Sequence, residues 1–398
     1  RVEAVPTIVQ YISYEALSAG VDEELASSAM ALFVYINRSL PMQDSLRLLC
    51  SDSIDGAKSL AASISQRLDV SSKRAQLLSH HEMVDLILDL ILRDLRAESA
   101  REMNMSHVLL GFPVGSLGDE WEPTNIRGTR DCLSLILDLL SDAGFLQEEK
   151  TLGFMSKCYE LIYRLTTTKN IDQTVTAQRV LYVAGKLRSM SFWRNHLLRF
   201  LGQQQNSPSI LETISCGTDV QEGSDHLVHC VAWLFKGVAN ELRMLMGLPI
   251  HGLSRNHPLF VLASPQYSKC RDLLSLLYGG SFKLAINALE CLPLAKRQII
   301  SETSVPSSAV VKASVCELKG AVEVTQGWSI VGLDKLVKHM FLHHGKGHTI
   351  TVENALKWAK QWNKAVAWEC AVSHLADSFR VFISSSFVYC KILLIEDG

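Results

Sequence analysis

The chain predicts an all-α protein built as a run of stacked helices. Three observations carry that reading: apolar residues recur at helical spacing through most of its 398 residues, strand-like alternation is scarce, and there are only 10 prolines to interrupt the runs. The amphipathic pattern is clear from its first stretches, with helices expected at 7–19, 21–38, 43–50, 55–68 and 72–79. From 82 to 96 the polar positions Asp85, Asp89, Arg93 and Arg96 come about once per turn, and Met83, Val84, Leu86, Ile87, Leu88, Leu90, Ile91, Leu92 and Leu95 fill most of the rest. So narrow a polar stripe requires burial on more than one side.

Residues 130–143 repeat the pattern, with Asp131, Ser134, Asp138, Ser141 and Asp142 outside and Leu133, Ile136, Leu137, Leu139 and Leu140 inside, before Gly144 as a stop. Helix 154–166 places Phe154, Cys158, Leu161, Ile162 and Leu165 on one face, and helix 225–246 steps through Leu227, Val231, Leu234, Val238, Leu242 and Leu245. Further helices are expected at 173–203, 267–278, 281–290, 333–343 and 352–382. The best strand-like alternation, 308–330 with Val310, Val311, Val315, Val322, Val324 and Ile330, is read as irregular, and 303–332 as a loop or crossing within one continuous helical segment spanning 1–398. Glycine-, serine- and proline-containing loops at 111–118, 203–208, 217–224, 303–308 and 345–347 are too short to mark domain linkers. Helix after helix with no fixed repeat signature suits degenerate repeats of the HEAT or armadillo kind.

Composition narrows the function. Hydrophobic residues make up 47% and charged residues 20%, which excludes a disordered or low-complexity chain. A formal charge of −2 supplies no field for nucleic acid or an anionic membrane. The longest apolar stretch, 84–95, is broken by Asp85, Asp89 and Arg93, short of the about 20 apolar residues of a membrane span. Ten cysteines without a CxxC pair read as reduced thiols, which places the chain in the cytosol or nucleus. Arg1 in place of Met, with no signal-peptide layout, reads as a piece of a longer chain.

Each candidate for chemistry has a plainer explanation. His339, His343, His344 and His348 contain an i, i+4 pair that suits zinc, but acidic or Cys ligands are missing and the run precedes Gly345, where cationic side chains suit a helix end. Asp225, His226, His229 and Cys230 read as ligands or as a Cys–His pair, yet Cys230 borders the apolar stripe of its helix and is read as core. The stretch His80, His81, Glu82, Met83, Val84, Asp85 has Asp where a zinc protease needs its second His. Residues 115–118 do not form a nucleophile elbow, and Gly345, Lys346 and Gly347 do not form a phosphate loop. Asp85 with Asp89, and Glu148 with Glu149, are read as solvated carboxylates. Trp358 and Trp362, four apart on one helix behind Thr351 as N-cap, form with Trp368, Trp328 and Trp193 a lead for a partner groove, although ring packing between helices explains them as well. No catalytic, cofactor-binding or metal-binding residue is assigned, and no partner-binding residue is singled out.

Four blocks follow one another in the chain: 107–112 (HVLLGF), 128–140 (GTRDCLSLILDLL), 158–165 (CYELIYRL) and 233–243 (WLFKGVANELR). Their order and spacing resemble an internal part of the large inner-ring scaffold nucleoporins of the 205/192 class, with the related 188 class as the alternative. The resemblance covers about 107–245. It implies a right-handed α-helical superhelical solenoid, residence in the nuclear pore complex at the nuclear envelope, and a structural role supporting nucleocytoplasmic transport. It also implies partners among scaffold and linker nucleoporins of the 93/96, 35/53 and 98/145 types, and no cofactor. The competing readings are a karyopherin-like solenoid transport receptor, which is usually far more acidic than −2, and an all-helical metal-dependent enzyme built on His339, His343 and His344 or His348.

Overall fold

The computed structural model describes residues 4–12, 23–39, 54–71, 81–96, 105–112, 131–141, 149–167, 174–201, 224–246, 267–278, 322–325, 328–330, 335, 338 and 352–396. These fall into two compact units, residues 1–190 with 243–265, and residues 191–242 with 266–398.

Eight helices are described in the first unit: α1 (Ala4–Ile12), α2 (Glu23–Ser39), α3 (Ile54–Ser71), α4 (His81–Arg96), α5 (Met105–Leu109), α6 (Cys132–Ser141), α7 (Glu149–Thr166) and α8 (Thr174–Ser189). Helix α4 is the hub. It packs against α2, α3, α5 and α7, while α3 also meets α1, α5 and α6, and α7 also meets α6 and α8. This explains its composition: Ile87, Leu88, Ile91 and Leu92 are fully buried, on more than one side of the helix. Helix α6 buries Cys132, Leu133, Leu135, Ile136, Leu137, Leu139 and Leu140, leaving Asp138 and Ser141 exposed as the periodicity requires. In α7 the anticipated face of Phe154, Cys158, Leu161, Ile162 and Leu165 is buried, although the helix starts earlier, at Glu149.

Helix ends are closed by specific donors and acceptors. Arg67 Nε donates to the Ile12 carbonyl at 2.5 Å, so α3 satisfies the C-terminus of α1. Arg93 of α4 donates to the Asn37 carbonyl near the end of α2. Asp131 caps α6, its Oδ1 accepting from the Ser134 amide at 2.6 Å. The short helix α5, absent from the sequence reading, lies in the HVLLGF block. Gly111 turns left-handed at φ +89°, its N–H bonds the Val108 carbonyl at 3.0 Å, and the Phe112 N–H bonds the His107 carbonyl at 2.9 Å. That is a Schellman stop, which explains the glycine of the block.

The second unit contains α9 (Phe192–Leu201), α10 (Ser224–Leu245) as far as Leu242, α11 (Tyr267–Tyr278), strands β1 (Val322–Thr325) and β2 (Trp328–Ile330), and α12 (Val352–Glu396). Phe235 of α10 meets Phe379 and Phe382 of α12 at ring centroid distances of 5.3 and 5.4 Å. Helix α9 packs against α11, and both strands pack against α12.

Three expectations need correction. The single helix expected over 173–203 is two, α8 and α9, because Ser191 adopts φ +50°; its carbonyl still starts α9 by accepting from Asn195 N at 3.0 Å. No Gly or Pro announces that break. Within the stretch read as irregular, β1 and β2 pair antiparallel, Val322 with Ile330 and Glu323 with Ser329, with an irregular step before Thr325 pairs with Trp328. The alternation of Val322, Val324 and Ile330 was a true strand signal. Helix α12 runs beyond 382 to Glu396. Helices expected at 43–50, 72–79 and 281–290 lie outside the described residues.

Candidate functional site

Among the described residues of the first unit, several polar side chains join one helix to another. Asp85 and Asp89, read from the sequence as solvated carboxylates, instead share Lys157 of α7, whose Nζ lies 2.6 and 2.8 Å from them. The correction has a simple cause: the half-buried polar stripe of α4 lies within reach of α7, whose Lys157 takes both carboxylates. One turn further along, Glu160 accepts from Arg96 Nη2 at 2.6 Å and from Arg164 Nε at 2.7 Å. Burial pushes the Glu160 carboxyl up, but the hydrogen bonds and charges of Arg96 and Arg164 outweigh it and hold the group below the usual carboxylate range. Asp131 Oδ2 similarly holds Lys186 of α8 at 3.0 Å.

Two further buried groups are titratable. Asp94 is 1% exposed; burial raises its carboxyl, against the charge of Arg93 and hydrogen bonds from Ser106. His107 is pushed down to about 3, first by burial and then by the nearby charge of Arg179, so it is neutral at physiological pH.

The Asp225, His226, His229 and Cys230 group resolves into unlike parts. Cys230 is fully buried, and burial raises its thiol, so it is an inert core residue and not a nucleophile. His226 is exposed. His229 meets a residue that no local pattern pairs with it, His374 of α12, with 3.1 Å between their Nδ1 atoms. Trp233 packs its edge on His374 at 4.3 Å, and Lys236 lies over Trp233 at 4.8 Å. The pair joins α10 to α12 through one shared proton, one imidazole donating and the other accepting.

The tryptophan lead divides likewise. Trp193 and Trp368 are buried in the second unit, 5% and 3% exposed, which is the ring-packing explanation. A Cβ on Gly237 would stand 2.6 Å from Trp193 Cζ3, so the glycine makes room for the indole. The side chains of Trp328, Trp358 and Trp362, the Thr351 cap, the histidines 339, 343, 344 and 348, the glycine segments at 115–118 and 345–347, and the side chains of His81, Glu148 and Glu149 lie outside the described residues. Among the described residues, no group of three or more His, Cys, Asp or Glu side chains is placed to hold a metal ion. No described helix is long and apolar enough to cross a membrane.

One surface feature escaped the sequence reading. Helix α2 buries Ala26, Met30 and Phe33, yet leaves Leu25, Leu32 and Tyr35 exposed at 47%, 48% and 70%. Leu25 and Leu32 are two turns apart and share a face. The signal was present in the sequence, but an inward and an outward apolar row on one helix look alike until a neighbour chooses between them.

Helix packed on helix, with polar side chains engaged in holding the elements together, defines a packed helical framework. The chain belongs to the family described as nuclear pore complex scaffold, nucleoporins 186/192/205, whose model matches residues 1–248. It is accordingly a scaffold component of the nuclear pore complex at the nuclear envelope. No curated relative matches the chain.

Proposed function

We propose that this chain is a structural, non-catalytic segment of the inner ring of the nuclear pore, a right-handed superhelix of degenerate HEAT- or armadillo-like repeats continuous over 1–398. It holds linker nucleoporin segments of the 93/96, 35/53 and 98/145 types and so supports protein and mRNA transport through the pore. The observation that carries this reading is the family match over residues 1–248. The helical packing is consistent with it, because helices stacked on both sides of a neighbour leave grooves and outward apolar rows that accept short partner segments. The outward row of Leu25, Leu32 and Tyr35 is of that kind.

The test is a pull-down from nuclear-envelope extract with immobilised residues 1–398, read by mass spectrometry. Enrichment of inner-ring and linker nucleoporins is expected. Recovery of transport cargo together with the small nuclear GTPase would replace the scaffold with a transport receptor.

A further inference from the structure

The contact between α10 and α12 depends on how many protons it carries. The ring centroids of His229 and His374 are 5.3 Å apart, hardly more than the 3.1 Å between their Nδ1 atoms plus the two ring radii, so the nitrogens meet end-on with no room for water between them. One N–H fills that gap. Two neutral rings satisfy it, one Nδ1–H donating to the other Nδ1, and a single added proton keeps it, since an imidazolium donates more strongly than a neutral ring. A second added proton sets N–H against N–H and charge against charge at 3.1 Å. Closed, the pair therefore holds at most one extra proton. Parted and in water, each ring takes its own below about pH 6.5.

The charges around the pair oppose a second proton. Trp233 lies edge-on to His374 at 4.3 Å and carries Lys236 over its face at 4.8 Å, a fixed positive charge one ring away. Nε2 of His374 is shut off from water. Asp225, half-buried one turn before His229, shares its face of α10 and balances one cation, not two. On α12, Asp377 already lies 3.6 Å from Arg380 at the surface, and burial pushes the Cys370 thiol up, so it stays neutral. His226 is exposed. The strands packed on α12 bring one charged residue, Glu323, and α9, which reaches α10 where Trp193 meets Gly237, brings Arg194, His196 and Arg199. Further along the same two helices the contact is made by the Phe235, Phe379 and Phe382 rings, which no change of pH affects.

We propose that the His229–His374 contact is an acid-sensitive latch: below the ordinary histidine range both rings take protons, the pair parts, and α10 and α12 loosen at that end while the phenylalanine cluster holds the other. The parted pair binds one proton more than the closed pair, so the latch is closed at neutral pH and its closing equilibrium falls about tenfold for each pH unit below the histidine range. The latch belongs to the internal packing of the second unit and stands independently of the scaffold reading.

Hydrogen–deuterium exchange of the full chain, read by mass spectrometry and corrected for the intrinsic rate at each pH, tests the latch. Protection of peptides covering 225–234 and 368–378 is expected to fall about tenfold between pH 6.5 and pH 5.5, and that of peptides covering 235–242 and 379–386 to fall less. The acid response of His107 lies in the first unit and is read in other peptides. His229→Asn and His374→Asn each place a non-titrating amide near the position of Nδ1, where it can donate or accept. Each should keep the wild-type protection at pH 7.5 and lose the fall. Constant protection in the wild type over that range would overturn the proposal whatever the variants do. A fall that persists in both variants would overturn it too, by assigning the response to another group. Loss of protection in both variants already at pH 7.5 would reduce the pair to a packing contact with no switching role.

Discussion

Single side chains in the first unit set how its stability responds to pH. Glu160 has a depressed folded-state carboxyl, so its contribution is present above the ordinary carboxylate range and is lost as pH falls through the depressed value. Glu160→Gln should cost about 1.5–3 kcal/mol at pH 7, the usual worth of hydrogen bonds to a charged group, and should flatten the acid limb of a urea-denaturation series. His107 behaves in the same direction for a different reason. Its folded-state pKa of about 3 lies below the ordinary value of 6.5, so the unfolded chain takes up a proton first and stability drains away as pH falls from 6.5 toward 3. His107→Leu should remove that slope, as read by melting temperature between pH 7 and pH 5. Asp94 runs the other way: its raised carboxyl gives stability that is full in acid and is lost as pH rises through the raised value. Asp94→Asn should therefore be at least as stable as wild type at pH 7.5, measured by urea denaturation. The acids and bases in these pairs were visible in the sequence, yet Asp85 and Asp89 were read as solvated because a polar stripe looks the same whether it meets water or Lys157.

Elements were legible where periodicity and stop residues agreed, and obscure where backbone conformation decided. Helices α4, α6, α7 and α10 follow the spacing of their apolar residues closely. The stop of α5 depends on one glycine: Gly111→Ala would force a side chain into the left-handed region and should cost about 1–2 kcal/mol, measured by urea denaturation. The break between α8 and α9 is the opposite case. Ser191 holds a positive φ that serine disfavours, so Ser191→Gly should leave stability unchanged or raise it. Packing between elements adds a constraint of another kind. Gly237→Ala would drive a Cβ into the Trp193 ring, at about 1–3 kcal/mol for an overpacked core. Trp193→Leu in the same chain should recover part of that loss, which distinguishes a clash from a general intolerance of change at 237.

On the scale of the whole molecule, helical character, near-neutral charge and the succession of blocks from HVLLGF to the Trp233 helix were enough to reach the scaffold class, and the family match over 1–248 agrees. The helical character was legible because amphipathic periodicity is a property of the chain itself, available without knowing what any residue touches, while the scaffold class came from the resemblance of the block succession to a known family. Which side of α2 faces inward, that Lys157 joins two aspartates 72 and 68 positions away, and that His229 finds His374 across 145 residues were decided only by tertiary structure. Each depends on which helix lies beside which, and long-range neighbours leave no periodic trace along the sequence.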